Sequence, residues 1–400
     1  MATSNSPASA DGAERTARLA DQLAAHGHLA PEWRAAFTAV HRHAFIPDTI
    51  YDEHNQPLNR ATEPDRWMDA AYANAPVVTQ FNDGAGVLGD LDTQVTSSSV
   101  SMPAIVATML THLDLQPGQR VLEIGTGAGY NTALLCARTG DHHVTTIEVD
   151  PGLADAAAKR LADAGWHPDV HAGDGAAGWP QQAPYDRVIA TCAVREIPDA
   201  WITQTRPGGI IVTPWGNTFS NGVLLKLHAN HDPADPGRHV ATGRVVDGAS
   251  FMWLRSQRTP RPDPTRYATG DPRTSATGLH PDVMSYNTHA DFAIGLAVPD
   301  VYALYKDDDT GDAFTAWFCD QNSDPSAAAV RVEPGGLGAA AHRVRQWGPR
   351  NLWDEIEQAY GRWRAWGCPA RERFGVTISL GHQPGRDVLV WLDHPGNPIG

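Results

Sequence analysis

Residues 120–139, RVLEIGTGAGYNTALLCART, change period twice within a short span. VLEI is apolar throughout except for Glu123, as a strand buried on both faces would be. It runs into a turn with glycine at 125, 127 and 129, and then into a helical pattern, NTALLCART. A strand passed through a tight glycine turn into a helix is the opening half of a β-α-β unit. The chain then repeats the scheme. HVTTIEV is a second strand, GLADAAAKRLADAG a helix, PDVHAGD a third strand, YDRVIATCA a fourth and GGIIVTP a fifth. Such alternation predicts an α/β fold, a doubly wound parallel sheet covered on both faces. NGVLLKLHAN and GRVVDGASFMWLR read as further strands of one domain over 101–255.

The flanks are less regular. Residues 1–12 read as a disordered tail and 13–100 as N-terminal helices followed by a substrate loop. A helix is expected from Ser101 to about Leu113, with Pro103 in its first turn, where a missing N–H costs little. Ahead of it stands TSSSVSMP, residues 96–103. One of these hydroxyls would suffice to cap the helix. Residues 258–281 are rich in Pro, Gly and Thr and predict a linker. Over 282–400 an α+β accessory domain is expected. Its strands are DFAIGLAV, YALYK, AFTAWFCD, AAVRV, RFGVTISLG and DVLVWLD, and its helix is NLWDEIEQAYGRWRAWG. Trp347, Trp353, Trp363 and Trp366 fit a core at helical spacing. For Arg343, Arg345, Arg350, Arg362 and Arg364 two readings stand, a surface for an acidic peptide or a solvated face.

Charge narrows the function classes. With 46 acidic against 31 basic residues the formal net charge is −15, which repels phosphate backbones, so no nucleic-acid partner is expected. The four cysteines form no C-x-x-C pair, which fits a reducing cytoplasm, and the 18 histidines show no metal-ligand spacing, so no metal is expected. No apolar run reaches the length of a membrane span, and no membrane partner is expected.

The glycine turn lies where doubly wound sheets bind ligands. A dinucleotide fingerprint would need glycine at 130, which is Tyr130, and no G-K-[ST] marks a P-loop. The pattern is E-x-G-x-G-x-G from Glu123 through Gly125, Gly127 and Gly129. Glu148 ends the second strand, where a carboxylate can accept both hydroxyls of a ribose. Asp174, in GDG with Gly175, ends the third, where it could meet an adenine amino group. Solvated strand-end acids are the plainer alternative, less favoured once all three features occur in order.

These residues resemble class I S-adenosylmethionine-dependent methyltransferases. The collinear order FIP, AY, SVSMP, VLEIGTGAGY, IEVD, GDGAAGWP, APYDRVIATCA, IP and RPGGIIVTPWG is similar to the protein-L-isoaspartate O-methyltransferase family, from about Pro31 to Leu254. The resemblance implies S-adenosyl-L-methionine as cofactor. Matching that family's T-I-S-x-P element, Ser101 becomes the catalytic candidate with Ser99 beside it, and Ser98 lines the donor pocket with both. Glu123, Thr126, Tyr130 and Gly175 join the glycines, Glu148 and Asp174 around the cofactor. Tyr72, Asn74 and Ser97 fall on the substrate side. Methyl transfer to an already ionised carboxylate requires alignment and no general base. The ester so formed is open to attack by the next backbone nitrogen, which yields a succinimide.

Two departures stand out. Family repair enzymes carry A-Y-x-D where this chain has AYAN, and FNDGAGVLGDLDTQV lengthens the approach to the serines. The chain also continues far beyond Leu254, with a tail similar to longer actinobacterial relatives associated with ribosomally made lanthipeptides or graspetides. The expectation is therefore a methyltransferase acting on an aspartate of a ribosomal precursor peptide, leading to aspartimide and in some cases isoaspartate. Repair of isoaspartyl proteins is the alternative, and a non-catalytic peptide-binding module a third. The oligomeric state is left open.

Overall fold

The computed structural model describes residues 7–52, 54–86, 94–260, 262–285, 287–307, 313–333, 341–381 and 385–399. First along the chain is a small antiparallel sheet of β1 (Thr49–Tyr51), β2 (Pro57–Asn59), β3 (Val77–Phe81) and β4 (Thr96–Val100), in the order β2-β1-β3-β4. The alternating region then supplies β5 (Val121–Ile124), β6 (Val144–Glu148), β7 (Asp169–Ala172), β8 (Tyr185–Ala190), β9 (Thr205–Gly216), β10 (Asn221–Asp232) and β11 (Asp235–Gly248). A second antiparallel sheet follows, β12 (Arg273–Thr277), β13 (Tyr302–Asp307), β14 (Phe314–Cys319), β15 (Ala327–Val332) and β16 (His342–Trp347), in the order β12-β16-β15-β14-β13. The last strands are β17 (Phe374–Leu380) and β18 (Arg386–Leu392).

The large sheet has nine strands in the order β18-β17-β11-β10-β9-β8-β5-β6-β7. Its β9-β8-β5-β6-β7 half is parallel and the remainder antiparallel. Strand periodicity sorts its side chains onto two faces. Val121, Ile189 and Val212 join one core with the helices Pro103–Leu113 and Tyr130–Thr139. Leu122, Val188 and Ile211 join the other, with Trp201 and Phe292. Both faces are dry, which accounts for the unbroken apolar runs and establishes the doubly wound α/β fold.

Several expectations meet differences. Residues 1–6 of the expected tail lie outside the described residues, but 7–12 belong to the helix Pro7–Ala25. Thr96–Val100 is a strand, and the helix expected from Ser101 begins at Pro103, with no side-chain cap from its own N-cap residue, Met102. DFAIGLAV lies in a helix, Thr288–Ala297, capped by Asn287, whose Oδ1 accepts the N–H groups of His289 and Ala290. Ala290, Phe292, Ala293 and Ile294 are all buried and point to several sides of this helix, so no single apolar stripe marks it. The expected linker 258–281 contains β12, which pairs with β16; its residues are exposed up to Thr277, so no alternation marked it. The boundary at 282 does not isolate 282–400, since β17 pairs with β11 and places β17 and β18 in the central sheet. Trp347, Trp353 and Trp363 are buried. Arg350 is engaged by Asp300, Asp320 and Glu355 within its own domain. Among the described residues no helix is long and apolar enough to cross a membrane, and Cys136, Cys192, Cys319 and Cys368 are free thiols.

Candidate active site

At the carboxyl ends of β5, β6 and β8 a cavity opens, lined also by β4 and by residues 252–255 and Arg258. The turn after β5 forms its floor. Gly125, Gly127 and Gly129 have φ of 94°, 54° and 95°, a region that L side chains rarely adopt. At Gly125 the reason is also steric, since a Cβ would stand 2.7 Å from Thr191 Oγ1. At Gly127 a Cβ would meet only Ser99 O, at 3.8 Å, so this glycine leaves room at the cavity wall. Gly129 faces away, toward Leu161 and Phe45. Thr126 and Tyr130 line the cavity, and burial pushes the Tyr130 phenol up, so it stays protonated.

The serines divide by partner. Ser97 Oγ donates to Gln80 Oε1 at 2.8 Å and accepts the Asp83 N–H at 3.0 Å. Ser98 is buried, and its Oγ accepts from Thr79 Oγ1 at 3.0 Å. Ser99 and Ser101 line the same cavity, and among the described residues no protein group bonds their hydroxyls. The capping that one serine was expected to supply comes from Asn74, whose Oδ1 accepts the Ala104 N–H at 2.9 Å.

Glu148 reaches the cavity from the end of β6. Its Oε2 accepts the Gly127 N–H at 2.8 Å and its Oε1 the Asp150 N–H at 3.1 Å. Burial raises its pKa, and these two backbone donors partly offset the rise. Each oxygen keeps accepting capacity for a ligand hydroxyl. Asp174 lies outside the cavity lining; its Oδ1 accepts the Ala176 N–H at 2.9 Å and Ser256 Oγ at 3.3 Å, while the adjacent Gly175 lines the cavity.

Glu123 is also set back. Fully buried beneath the glycine turn, it accepts from Asn131 Nδ2 (2.7 Å), Thr132 Oγ1 (2.5 Å) and Thr146 Oγ1 (2.7 Å). Burial pushes its pKa up to about 7 against those donors. The strand tolerates an acid because it ties β5, β6 and the following helix together. Tyr72 is likewise structural. Its hydroxyl meets Thr16 Oγ1 (2.9 Å), His43 Nδ1 (2.6 Å) and Gly12 O (3.1 Å), all outside the cavity. Neither Tyr72 nor Asn74 lines it.

Arg42 went unrecognised in the sequence. Fully buried, it donates to the carbonyls of Ala71 (2.5 Å), Ala75 (3.2 Å), Val100 (3.2 Å) and Ser101 (3.0 Å), with its Cζ 5.8 Å from the Tyr130 ring centroid. Burial lowers its pKa to about 10, still well above neutrality. It fastens the chain on both sides of Ser101. Its partners are carbonyls, which no side-chain motif announces.

The family model described as Protein-L-isoaspartate(D-aspartate) O-methyltransferase matches residues 14–239. A protein-L-isoaspartate O-methyltransferase of Anaeromyxobacter dehalogenans is 36% identical over 192 residues, which are 47% of this chain and 84% of the relative. One of Ignicoccus hospitalis is 42% identical over 217 residues, covering 54% and 88%. A solved structure named protein-L-isoaspartate O-methyltransferase aligns with a TM-score of 0.49 at 18% identity, over 93% of this chain and 98% of that one.

Proposed function

The chain belongs to the protein-L-isoaspartate(D-aspartate) O-methyltransferase family, and from that premise we propose that it methylates an aspartyl-derived carboxylate of a peptide with S-adenosylmethionine. It is an S-adenosylmethionine-dependent carboxyl O-methyltransferase, which sets the non-catalytic reading aside. The observation that carries the proposal is the meeting of Ser99 and Ser101, the glycine turn and Glu148 in one cavity. These residues fit the cofactor: Gly127 leaves open space, and Glu148 presents a carboxylate to a diol.

When bound, S-adenosylmethionine would be held by the glycine turn and Glu148 and would supply a sulfonium methyl group to the substrate carboxylate. Ser99 and Ser101 hold the carboxylate by hydrogen bonds, and the Arg42 contact with the Ser101 carbonyl fixes their backbone. No base is needed, because the carboxylate is ionised near neutral pH. The lining agrees, with neither histidine nor lysine among its described residues and the Cys192 thiol pushed up to about 12 by burial. Charge is neutralised as the bond forms, so a dry pocket with a few donors suits the transition state.

The substrate is proposed to be an ordinary aspartate of a ribosomally made peptide, esterified and then cyclised to a succinimide. The chain beyond residue 239, where the family match ends, favours this reading, since it adds a five-stranded sheet and two strands of the central sheet. Repair of isoaspartyl residues is the second reading, favoured by the family match and by the names of the relatives. The two separate by mass. With S-adenosylmethionine and its precursor peptide, the first predicts a methyl ester followed by net loss of water. Methylation confined to isoaspartyl peptides establishes the second instead.

A further inference from the structure

Two arginines stand at the rim of the cavity, Arg255 and Arg258, and both line it. Neither is solvated alone. Asp83, from the turn after β3, sits between them: Arg258 Nη1 donates to its Oδ1 at 3.1 Å and Nη2 bonds its Oδ2, while Arg255 Nη2 lies 3.3 Å from Oδ1. The three side chains remain about a quarter to a third exposed, so the ion pairs face the cavity mouth and solvent. The hydrogen bond from Arg258 holds the Asp83 carboxyl below its usual range. Asp83 takes up this position in left-handed backbone, φ 54° and ψ 36°, which an aspartate tolerates only at some cost.

Asp83 is also the end of a polar chain that includes Ser97 of the cavity lining. Its N–H donates to Ser97 Oγ, Ser97 donates to Gln80 Oε1, and Gln80 Nε2 donates to Asp150 Oδ2 at 3.0 Å, next to Glu148. A carboxylate in a guanidinium fork at the mouth of a carboxylate-binding cavity is the arrangement a substrate acid would make.

We propose that Arg255 and Arg258 form a receptor for a second carboxylate of the peptide substrate, an acidic residue flanking the methylated one, with Asp83 holding that place until the peptide displaces it. This rests on the carboxyl-methylation reading and specifies its substrate as an acidic peptide. On a chain of net charge −15 such a local cationic pair is what lets an acidic ligand dock. Displacing Asp83 is feasible because exposed ion pairs hold weakly and exchange with solvent.

The test uses two fluorescent peptides with one central Asp-Gly, flanked by glutamates in one and glutamines in the other. Each is titrated at low salt into the full chain saturated with S-adenosylhomocysteine. The glutamate peptide is expected to bind about tenfold tighter, as two weakly screened charge-assisted contacts at low salt allow. The R255Q/R258Q double variant removes that difference, and D83N tightens the glutamate peptide by about threefold, since the internal competitor is gone. Equal affinities for wild type, including none measurable for either peptide, overturn the proposal, and so does a difference that survives in R255Q/R258Q. If that variant instead weakens S-adenosylhomocysteine and leaves peptide discrimination intact, the pair serves the cofactor's own carboxylate and the proposal is wrong. Methyl transfer is read separately. Discrimination in binding without any methyl gain defeats methylation of an ordinary aspartate and leaves the arginine receptor standing.

Discussion

Asn74 Oδ1 accepts the backbone N–H of Ala104 at 2.9 Å, so the residue that replaces the family acid caps the helix following the serine strand. Its side chain is committed to the first turn of Pro103–Leu113 and does not line the cavity. The change from acid to amide therefore bears on scaffold before it bears on substrate.

Asn74→Asp keeps the acceptor and adds a negative charge near a helix N-terminus, where the macrodipole favours it. This variant is expected to melt at or slightly above the wild-type temperature and to methylate the same peptides. Asn74→Ala removes the acceptor and should cost about 1 kcal/mol of unfolding free energy. Denaturant melts and a side-by-side peptide assay decide the matter. A switch of substrate preference in Asn74→Asp would place this residue at the substrate after all.

The serines give a graded prediction, because their hydroxyls differ in partners. Ser101→Ala and Ser99→Ala each remove a hydroxyl that lines the cavity without a protein partner, and kcat should fall about 10- to 100-fold, as for loss of a group that aligns the reacting carboxylate. Ser97→Ala loses bonds to Gln80 and Asp83 and should weaken peptide binding by only a few-fold (roughly 1 kcal/mol), with kcat retained. Steady-state kinetics with separate kcat and KM distinguish the two classes, and an equal kcat loss at all three positions contradicts the assignment.

Arg42 makes a stability prediction with a functional echo. Arg42→Met fills much of the volume but leaves the carbonyls of Ala71, Ala75, Val100 and Ser101 without this donor. Each unsatisfied carbonyl costs about 1–3 kcal/mol, and relaxation together with removal of a buried charge offsets part of the sum. A net loss of about 3 kcal/mol is expected, with a lower kcat because the Ser101 backbone is no longer fixed. Arg42→Lys should recover part of the stability and less of the activity, since one ammonium cannot span four carbonyls. Thermal melts beside kcat for both variants provide the check.

What was legible in the sequence is local in origin. The glycine turn and Glu148 follow from abrupt changes of period and from spacing along one β-α-β unit, the Ser99–Ser101 pair from the resemblance to the family's T-I-S-x-P element, and the cavity brings them together. Asp174 was legible as a strand-end acid, but its bonds to Ala176 and Ser256 arise from the turn it starts and from a segment far along the chain. Strand β12 escaped because an exposed edge strand needs no apolar face, and helix Thr288–Ala297 because it is wedged between two cores and buries apolar residues on more than one side. Arg42 and the Asp83–Arg258 pair exist only through tertiary contact, so nothing in their neighbours along the chain marks them.

Glu123 supplies the clearest pH dependence. Its carboxyl is fully buried and its pKa in the folded chain is raised to about 7, against 4.5 for the ordinary group, chiefly by desolvation, with the charge of Glu148 adding to the rise and Thr132, Asn131 and Thr146 opposing it. Between those values the native state keeps a proton that the unfolded chain has released. Stability from this group is thus full below about pH 4.5, declines as pH rises toward 7 and is lost above it, by about 3 kcal/mol for the whole shift. A protonated Glu123 can donate a hydrogen bond to Thr146 Oγ1, which lies 2.7 Å from Thr126 Oγ1 and can turn its own hydrogen toward it. Glu123→Gln is neutral throughout and keeps an acceptor for Asn131. The unfolding free energy of Glu123→Gln minus that of wild type is therefore expected to become more positive by about 2.5 kcal/mol from pH 5 to pH 8. Denaturant titrations of both proteins at each pH measure this difference directly, and a difference that stays flat would show Glu123 to be ionised in the native state across the range.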